Sequence, residues 1–532
     1  MGTSIPRALL MPKTLYLNRI LAGLLILGGL TALLSIVSTI QGAPFVYEND
    51  HRLAPSLAIL KGFSLYYPKE GGPVLSSIYG PITAFAFLPA AFLKVLPSRV
   101  VQFATITALI YFFLPAILLC LTLAERECAK LAKFRYRACV LFFGVVLLNG
   151  PLQRASAEPH ADAPALGLCA LACFFLLRRR DNHADWFDVL LAAMCVACGV
   201  LAKQNMAPLP PVFAAWLLFR DGWKQSLGFC LAGITIAGLI LVVVGHTLAT
   251  PGAMLLNLVT IPTHQPLRKA DFFPTVAQVG YQSMVLAALP IIALVQNLES
   301  GTSSLRITLR RNPRLLLLLS GAALATTSVI GYIKAGGNIN ALSPAIYFLA
   351  IAFVAELIPF LDGVSDSTNR ESIARVTLLA IVLSFAILLS LPSILYGIAH
   401  TPKLKDCAMD NAFRYSKAHP DSIYFPDYPL AVLLAEGRLY HFSWGLQDRE
   451  QAGYPVKAQE FLRYTPPSHV MALTLMNFPW EAAIQAHCGQ MLHPSVESEL
   501  PGFSFCTVRD RDAPVYSSHT APLALLLQSP AP

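Results

Sequence analysis

Apolar runs close to 20 residues long recur through the first 400 positions of this chain, and they leave it few ways to fold. Inside hydrocarbon every backbone N–H and C=O must find its partner within the protein, so runs of this length fold as helices that cross a bilayer. The chain is 55% hydrophobic and 13% charged, about half the charge of a soluble domain, which is roughly 25%. A net charge of +9 does not point to nucleic acid here, because the basic residues sit in short clusters between apolar runs. Clusters placed that way set topology.

Eleven spans are expected, at 20–40, 100–123, 138–150, 164–177, 186–202, 207–219, 226–246, 282–297, 315–331, 341–360 and 376–398. Arg7, Lys13 and Arg19 hold the start in the cytoplasm, so the C-terminus falls outside. Residues 81–96 are apolar too, but counting them as a span would throw Arg126, Lys130, Lys133, Arg135 and Arg137 outside. Broken by Pro81, Pro89 and Pro97, they are read as a helix in the outer interface. Arg178, Arg179, Arg180, Arg220, Lys224, Arg306, Arg310, Arg311 and Arg314 then all lie inside. The first apolar run is too long for a signal peptide and is read as a retained anchor. The expected location is the cytoplasmic (inner) membrane, crossed many times.

With sides assigned, the unusual polar residues gather outside. Glu48-Asn49-Asp50 follows the first span, where a carboxylate costs desolvation energy unless it is paired or used. Behind it come Tyr66-Tyr67-Pro68 and Tyr79-Gly80-Pro81. Arg154, Glu158, His160 and Asp162 share the second outer loop, and Lys203-Gln204-Asn205 closes another span. Residues 265–271, Lys334 and the turn Gly336-Gly337-Asn338-Ile339-Asn340 complete the outer set. The sequence has no Walker-type glycine loop and no dinucleotide fingerprint. Chemistry is expected on the outer face, without ATP hydrolysis.

These elements, in this order, resemble the GT-C class of membrane glycosyltransferases. They are similar in layout to the protein O-mannosyltransferases and the lipid A aminoarabinose transferases. The likeness is carried by Glu48-Asn49-Asp50 with Gly62 to Tyr66 and Tyr79-Gly80-Pro81, by Glu158-Pro159-His160-Ala161-Asp162, by Leu201-Ala202-Lys203-Gln204 and by Gly336-Gly337-Asn338. It spans about residues 15–400. Two departures stand out: Asn49 separates carboxylates that are adjacent in the family, and Ile339 replaces an aromatic.

The resemblance implies a hexosyl- or pentosyltransferase, an α-helical polytopic protein of about eleven transmembrane helices with outer interfacial helices. Its donor would be a polyprenyl-phosphate sugar among membrane lipids, and its acceptor a glycan, a lipid or a protein. A carboxylate takes the acceptor proton; Asp50 is preferred and Glu48 is the alternative. Cations stabilise the phosphate as it leaves. Tyr66, Tyr79, Arg154, Glu158, His160, Asp162, Lys203, Gln204, Lys334, Asn338 and Asn340 are the expected substrate contacts, with Arg268 and Lys269 as further outer cations. No cofactor is required, although Glu158, His160 and Asp162 have the spacing of a divalent-metal site.

Each residue also has a structural reading. Glu48 or Asp50 caps a helix, Glu158 to Asp162 pair with Arg154, Lys203 snorkels to the interface, and Asn338 and Asn340 satisfy a turn. A transporter or flippase is the competing class, but intramembrane carboxylates and repeated halves would mark it, and the spans are nearly free of acidic residues.

Beyond residue 400 the character changes to that of a small extracytoplasmic α/β domain, 401–532, with strand-like pieces at 422–425, 470–475 and 503–508. Helical pieces are expected at 430–435 and 480–486, and a loose Pro-rich end closes the chain. Of Cys407, Cys488 and Cys506, an oxidising compartment permits one disulfide, and Cys488–Cys506 is the preferred pair.

Overall fold

The computed structural model describes residues 7–46, 48–75, 78–125, 132–178, 185–299, 309, 312–365, 370–474, 482–492, 500 and 502–508. Every expected span falls on a helix: Arg7–Gly42, Pro97–Glu125, Ala132–Leu147, Asp162–Leu177, Trp186–Ala202, Leu209–Arg220, Trp223–Thr247, Phe272–Glu299, Arg314–Ile333, Ser343–Ser365 and Arg370–His400. Seven helices are long and apolar enough to cross a membrane, or eight with one bent pair included. Others are short. Leu209–Arg220 has 12 residues, about 18 Å at 1.5 Å per residue against a hydrocarbon core of about 30 Å.

The bent pair shapes the site. Tyr136–Leu147 and Gly150–Ala157 meet at 107°. At the corner Asn149 accepts the Leu152 N–H at 3.1 Å, and proline follows at the start of the new helix, where its missing N–H costs nothing. The turn lays Arg154 and Glu158 across the end of the bundle.

Ser343–Ser365 is the central helix: residues 340–352 are buried throughout, and the Tyr347 hydroxyl donates to the Phe112 carbonyl at 2.6 Å. Peripheral helices turn Ile234, Tyr281 and Met284 outward, each more than 70% exposed, as a lipid-facing wall requires. Residues 81–96 form two short helices, Pro81–Ala86 and Leu88–Ala91. At the end opposite the site, Arg178 pairs with Asp188, Arg220 with Asp221 at 2.6 Å and Arg314 with Glu356 at 2.8 Å. Arg126, Lys130, Arg179, Arg180, Arg306, Arg310 and Arg311 lie outside the described residues.

After His400 come the helices Ala408–Ala418, Pro429–Glu436, Ser443–Gln451 and Ala458–Arg463, then a three-stranded antiparallel sheet. Its strands β1 (Val470–Thr474), β2 (Cys488–Leu492) and β3 (Phe503–Val508) lie in the order β1-β3-β2. A disulfide joins Cys488 to Cys506 across β2 and β3, and Cys407 is a buried free thiol. The expected strand at 422–425 makes one bridge, Tyr424 beside Met471. The expected helix at 480–486 is Ala482–Gln485, with 475–481 outside the described residues, as is the Pro-rich end beyond 508.

This region packs directly on the first loop. Asp410 accepts from the Ser98 N–H and hydroxyl at 3.0 and 2.7 Å, the Phe442 N–H reaches the Val74 carbonyl at 2.9 Å, and Arg449 reaches the carbonyls of Pro68 and Lys69.

Candidate active site

The first-loop helix Glu48–Leu60 opens with two carboxylates, which its N-terminal dipole favours. Glu48 and Arg52 are one turn apart and share a face. Arg154 grips both Glu48 oxygens at 3.1 and 2.9 Å, and its Nε lies 2.7 Å from Glu158. Arg52 lies 2.8 Å from the other Glu158 oxygen and 3.9 Å from Glu48. Two guanidiniums and two carboxylates thus close a neutral, largely buried ring. Buried charges persist only where partners replace water, and here each charge has two.

Beside the ring sits Asp162, fully buried at the start of the helix Asp162–Leu177. One oxygen takes the Lys203 ammonium; the other meets His160 Nδ1 at 2.5 Å and the Asn340 amide at 2.7 Å. Against the burial that would raise it, Lys203 and His160 hold the Asp162 carboxyl below the usual range. Burial pushes the His160 imidazole down to about 4, so it is neutral at pH 7.

Tyr79 links the two groups. Its ring meets His160 edge-on at 4.7 Å, and the Lys203 ammonium lies 5.9 Å from the ring centre. Gly80 makes this approach feasible: a Cβ there would fall 1.7 Å from the Leu201 carbonyl oxygen. Thr83 adds a 2.8 Å bond to the Ala202 carbonyl. The first loop is thereby fixed to the end of the helix that delivers Lys203.

Arg154, Glu158, His160, Asp162, Lys203, Asn340, Tyr79 and Glu48 therefore converge. Other expected contacts do not. Asp50 is wholly buried on the far face, where its carboxylate accepts the Leu430 N–H at 2.6 Å and caps the helix Pro429–Glu436. Tyr66 is buried too, donating to the Tyr79 carbonyl at 2.8 Å. Gln204 donates to the Ile78 and Leu258 carbonyls at 3.0 and 3.4 Å. Asn338 accepts the Ile339 N–H at 2.7 Å and starts a turn. These three hold backbone in place.

Glu158, His160 and Asp162 do not form the expected metal site. Glu158 is taken by two arginines, while the acceptors of Asp162 are filled by Lys203, His160 and Asn340. Among the described residues no group of three His, Cys, Asp or Glu side chains is placed to hold a metal ion.

The C-terminal region supplies one wall. Trp444 lies under Arg52 at 5.6 Å and stacks on His51 at 5.6 Å and 10°. One turn further along Ser443–Gln451, Asp448 accepts from Gln265 at 2.7 Å. Lys334 is half-buried in the turn that pairs with Leu267, and Asp448 is the carboxylate that bears on its ammonium. Sequence reasoning missed Arg52, Trp444 and Asp448. Arg52 left a signal, standing four residues after Glu48; the other two left none.

By sequence, no family profile and no curated protein matches the chain. By structure, ArnT from Cupriavidus metallidurans bound to undecaprenyl phosphate matches with a TM-score of 0.53 at 12% identity, covering 92% of this chain and 98% of that one. This chain has the GT-C fold. The apo structure of the same ArnT gives 0.52 at 11%, over 91% and 98%. An Archaeoglobus fulgidus oligosaccharyltransferase matches more loosely, at 0.43 and 13%, over 90% and 73%. The GT-C likeness to ArnT runs through the C-terminal region as well as the helices, since nearly the whole of both chains is covered.

Proposed function

We propose that this protein is a glycosyltransferase that moves a sugar from a polyprenyl-phosphate donor to a glycan, lipid or protein acceptor on the outer face of the cytoplasmic membrane. One observation carries the reading. Six charged side chains, Glu48, Arg52, Arg154, Glu158, Asp162 and Lys203, converge from loops that hydropathy assigns to a single face. That ArnT binds undecaprenyl phosphate on the same fold supports the donor class.

The arrangement suits a phosphate leaving group. Transfer breaks the bond between the anomeric carbon and a phosphate oxygen, and negative charge grows on that oxygen. Arg52, Arg154 and Lys203 are held by carboxylates in fixed positions beside Tyr79. Preorganised cations stabilise the transition state without reorganising at the moment of reaction. Glu48 and Glu158 set the two guanidiniums; Asp162 sets Lys203 and His160. Of the two carboxylates expected to serve as base, Glu48 shares the face of the site and Asp50 serves the cap. The phosphate ester is already activated, so the step needs no nucleotide.

The test is turnover by purified full-length protein in lipid nanodiscs, offered undecaprenyl-phosphate pentoses and hexoses with octyl glucoside or water as acceptor. Release of undecaprenyl phosphate is expected, and Arg52→Ala and Lys203→Ala are each expected to reduce it at least tenfold. Strict dependence on a nucleotide sugar would overturn the donor assignment.

A further inference from the structure

The carboxylates that converge beside Tyr79 are held by cations, and Asp50 lies apart from them at the Leu430 N–H. Glu48 and Glu158 each face two guanidiniums, and Asp162 is filled by Lys203, His160 and Asn340. A base must offer a lone pair that no fixed cation holds, and its proton affinity should lie near the working pH. Asp448 meets both demands. It stands one helical turn from Trp444, on the face that covers Arg52, so the helix Ser443–Gln451 carries it along the wall of the same site.

We infer that Asp448, supplied by the C-terminal region, is the catalytic base that takes the proton of the acceptor. The inference rests on the glycosyltransfer reading above. In the step, the acceptor O–H proton passes to an Asp448 oxygen while the acceptor oxygen bonds to the anomeric carbon. The bond from that carbon to the phosphate oxygen breaks, and its electron pair leaves on the polyprenyl phosphate.

The surroundings fit this role. One Asp448 oxygen accepts from the Gln265 amide at 2.7 Å, which orients the carboxylate and leaves the other oxygen for the acceptor. The charged and titratable groups that face it are Lys334 and Tyr79. Burial raises the Asp448 carboxyl to about 7, with the Lys334 ammonium and the Gln265 bond opposing. A carboxylate at that value is largely ionised just above neutrality and still binds a proton well. Tyr79, whose hydroxyl feels Asp162, Arg52 and Asp448 together, marks the ground between the phosphate-side cations and this base.

The experiment compares wild type, Asp448→Asn and Gln265→Ala in nanodiscs with the undecaprenyl-phosphate sugars named above, from pH 5 to 9. Wild-type turnover should rise through a limb near pH 7, because the base works only when deprotonated. Asp448→Asn should lower turnover at least a hundredfold and abolish the limb, with release in the absence of acceptor changing less. Gln265→Ala should keep the limb but shift it. Infrared spectroscopy should show a carboxyl band titrating near pH 7 in wild type and missing in Asp448→Asn. Full turnover and an unchanged limb in Asp448→Asn would overturn this inference alone, as would the lack of a titrating band. Failure of wild type with every donor would overturn the glycosyltransfer reading and this inference with it.

Discussion

Two positions along a helix turn a side chain through about 200°, and that rotation separates the fates of Glu48 and Asp50. Glu48 joins the arginine ring, whereas Asp50 points at a backbone N–H 380 residues away in sequence. A cap and a base respond differently to the same amide. Asparagine caps as well as aspartate, while alanine forfeits about 0.5–2 kcal/mol. Asp50→Asn should therefore retain turnover within about threefold, and Asp50→Ala should lose both activity and thermal stability; an inactive but well-folded Asp50→Asn would restore Asp50 as the base. Asp162→Asn should free Lys203 and His160 together. We expect weaker donor binding and slower turnover in equal measure, read as paired changes in KM and kcat. The carboxylates themselves were readable from the sequence because their position beside a span is costly. The pairing of Glu158 with Arg154 was readable as well, whereas Leu430 and Trp444 were not, since they meet the first loop only through tertiary packing.

Helices in lipid are dictated by hydrogen bonding, so hydropathy found a helix at each expected span, of which seven or eight are long and apolar enough to cross, and the departures are at their ends. The helix Phe272–Glu299 begins ten residues before the expected 282, because Pro274, Thr275 and Gln278 interrupt the apolar run in its first turns. The sheet was harder. Strands β1 and β3 carry buried residues and were expected, but Cys488–Leu492 lies on the exposed side and reads as no element at all. Ser443–Gln451 is polar in sequence yet packs its backbone on the first loop, where a Cβ on Gly445 would fall 2.4 Å from the Leu75 carbonyl oxygen. Gly445→Ala should thus push the helix outward, moving Trp444 and Asp448 with it. Turnover should drop at least tenfold while limited proteolysis still finds a folded C-terminal region; unaltered turnover would show that this helix is no wall of the site.

Taken whole, the molecule gathers every loop that the basic-cluster rule assigns outside, together with the C-terminal region, at one end of the bundle. A reporter active only in the cytoplasm, fused after Pro532, should be silent; a strong signal would reverse every side assigned to the site. The gathering also has a consequence for how the protein is made. Its arginine ring begins at position 48, and the wall beneath that ring arrives with Trp444, after the last long helix has left the ribosome. A chain halted before Trp444 would hold the complete arginine ring with no wall beneath it. Such a fragment would have its spans and its cations but not Asp448, which makes completeness of translation a condition for chemistry.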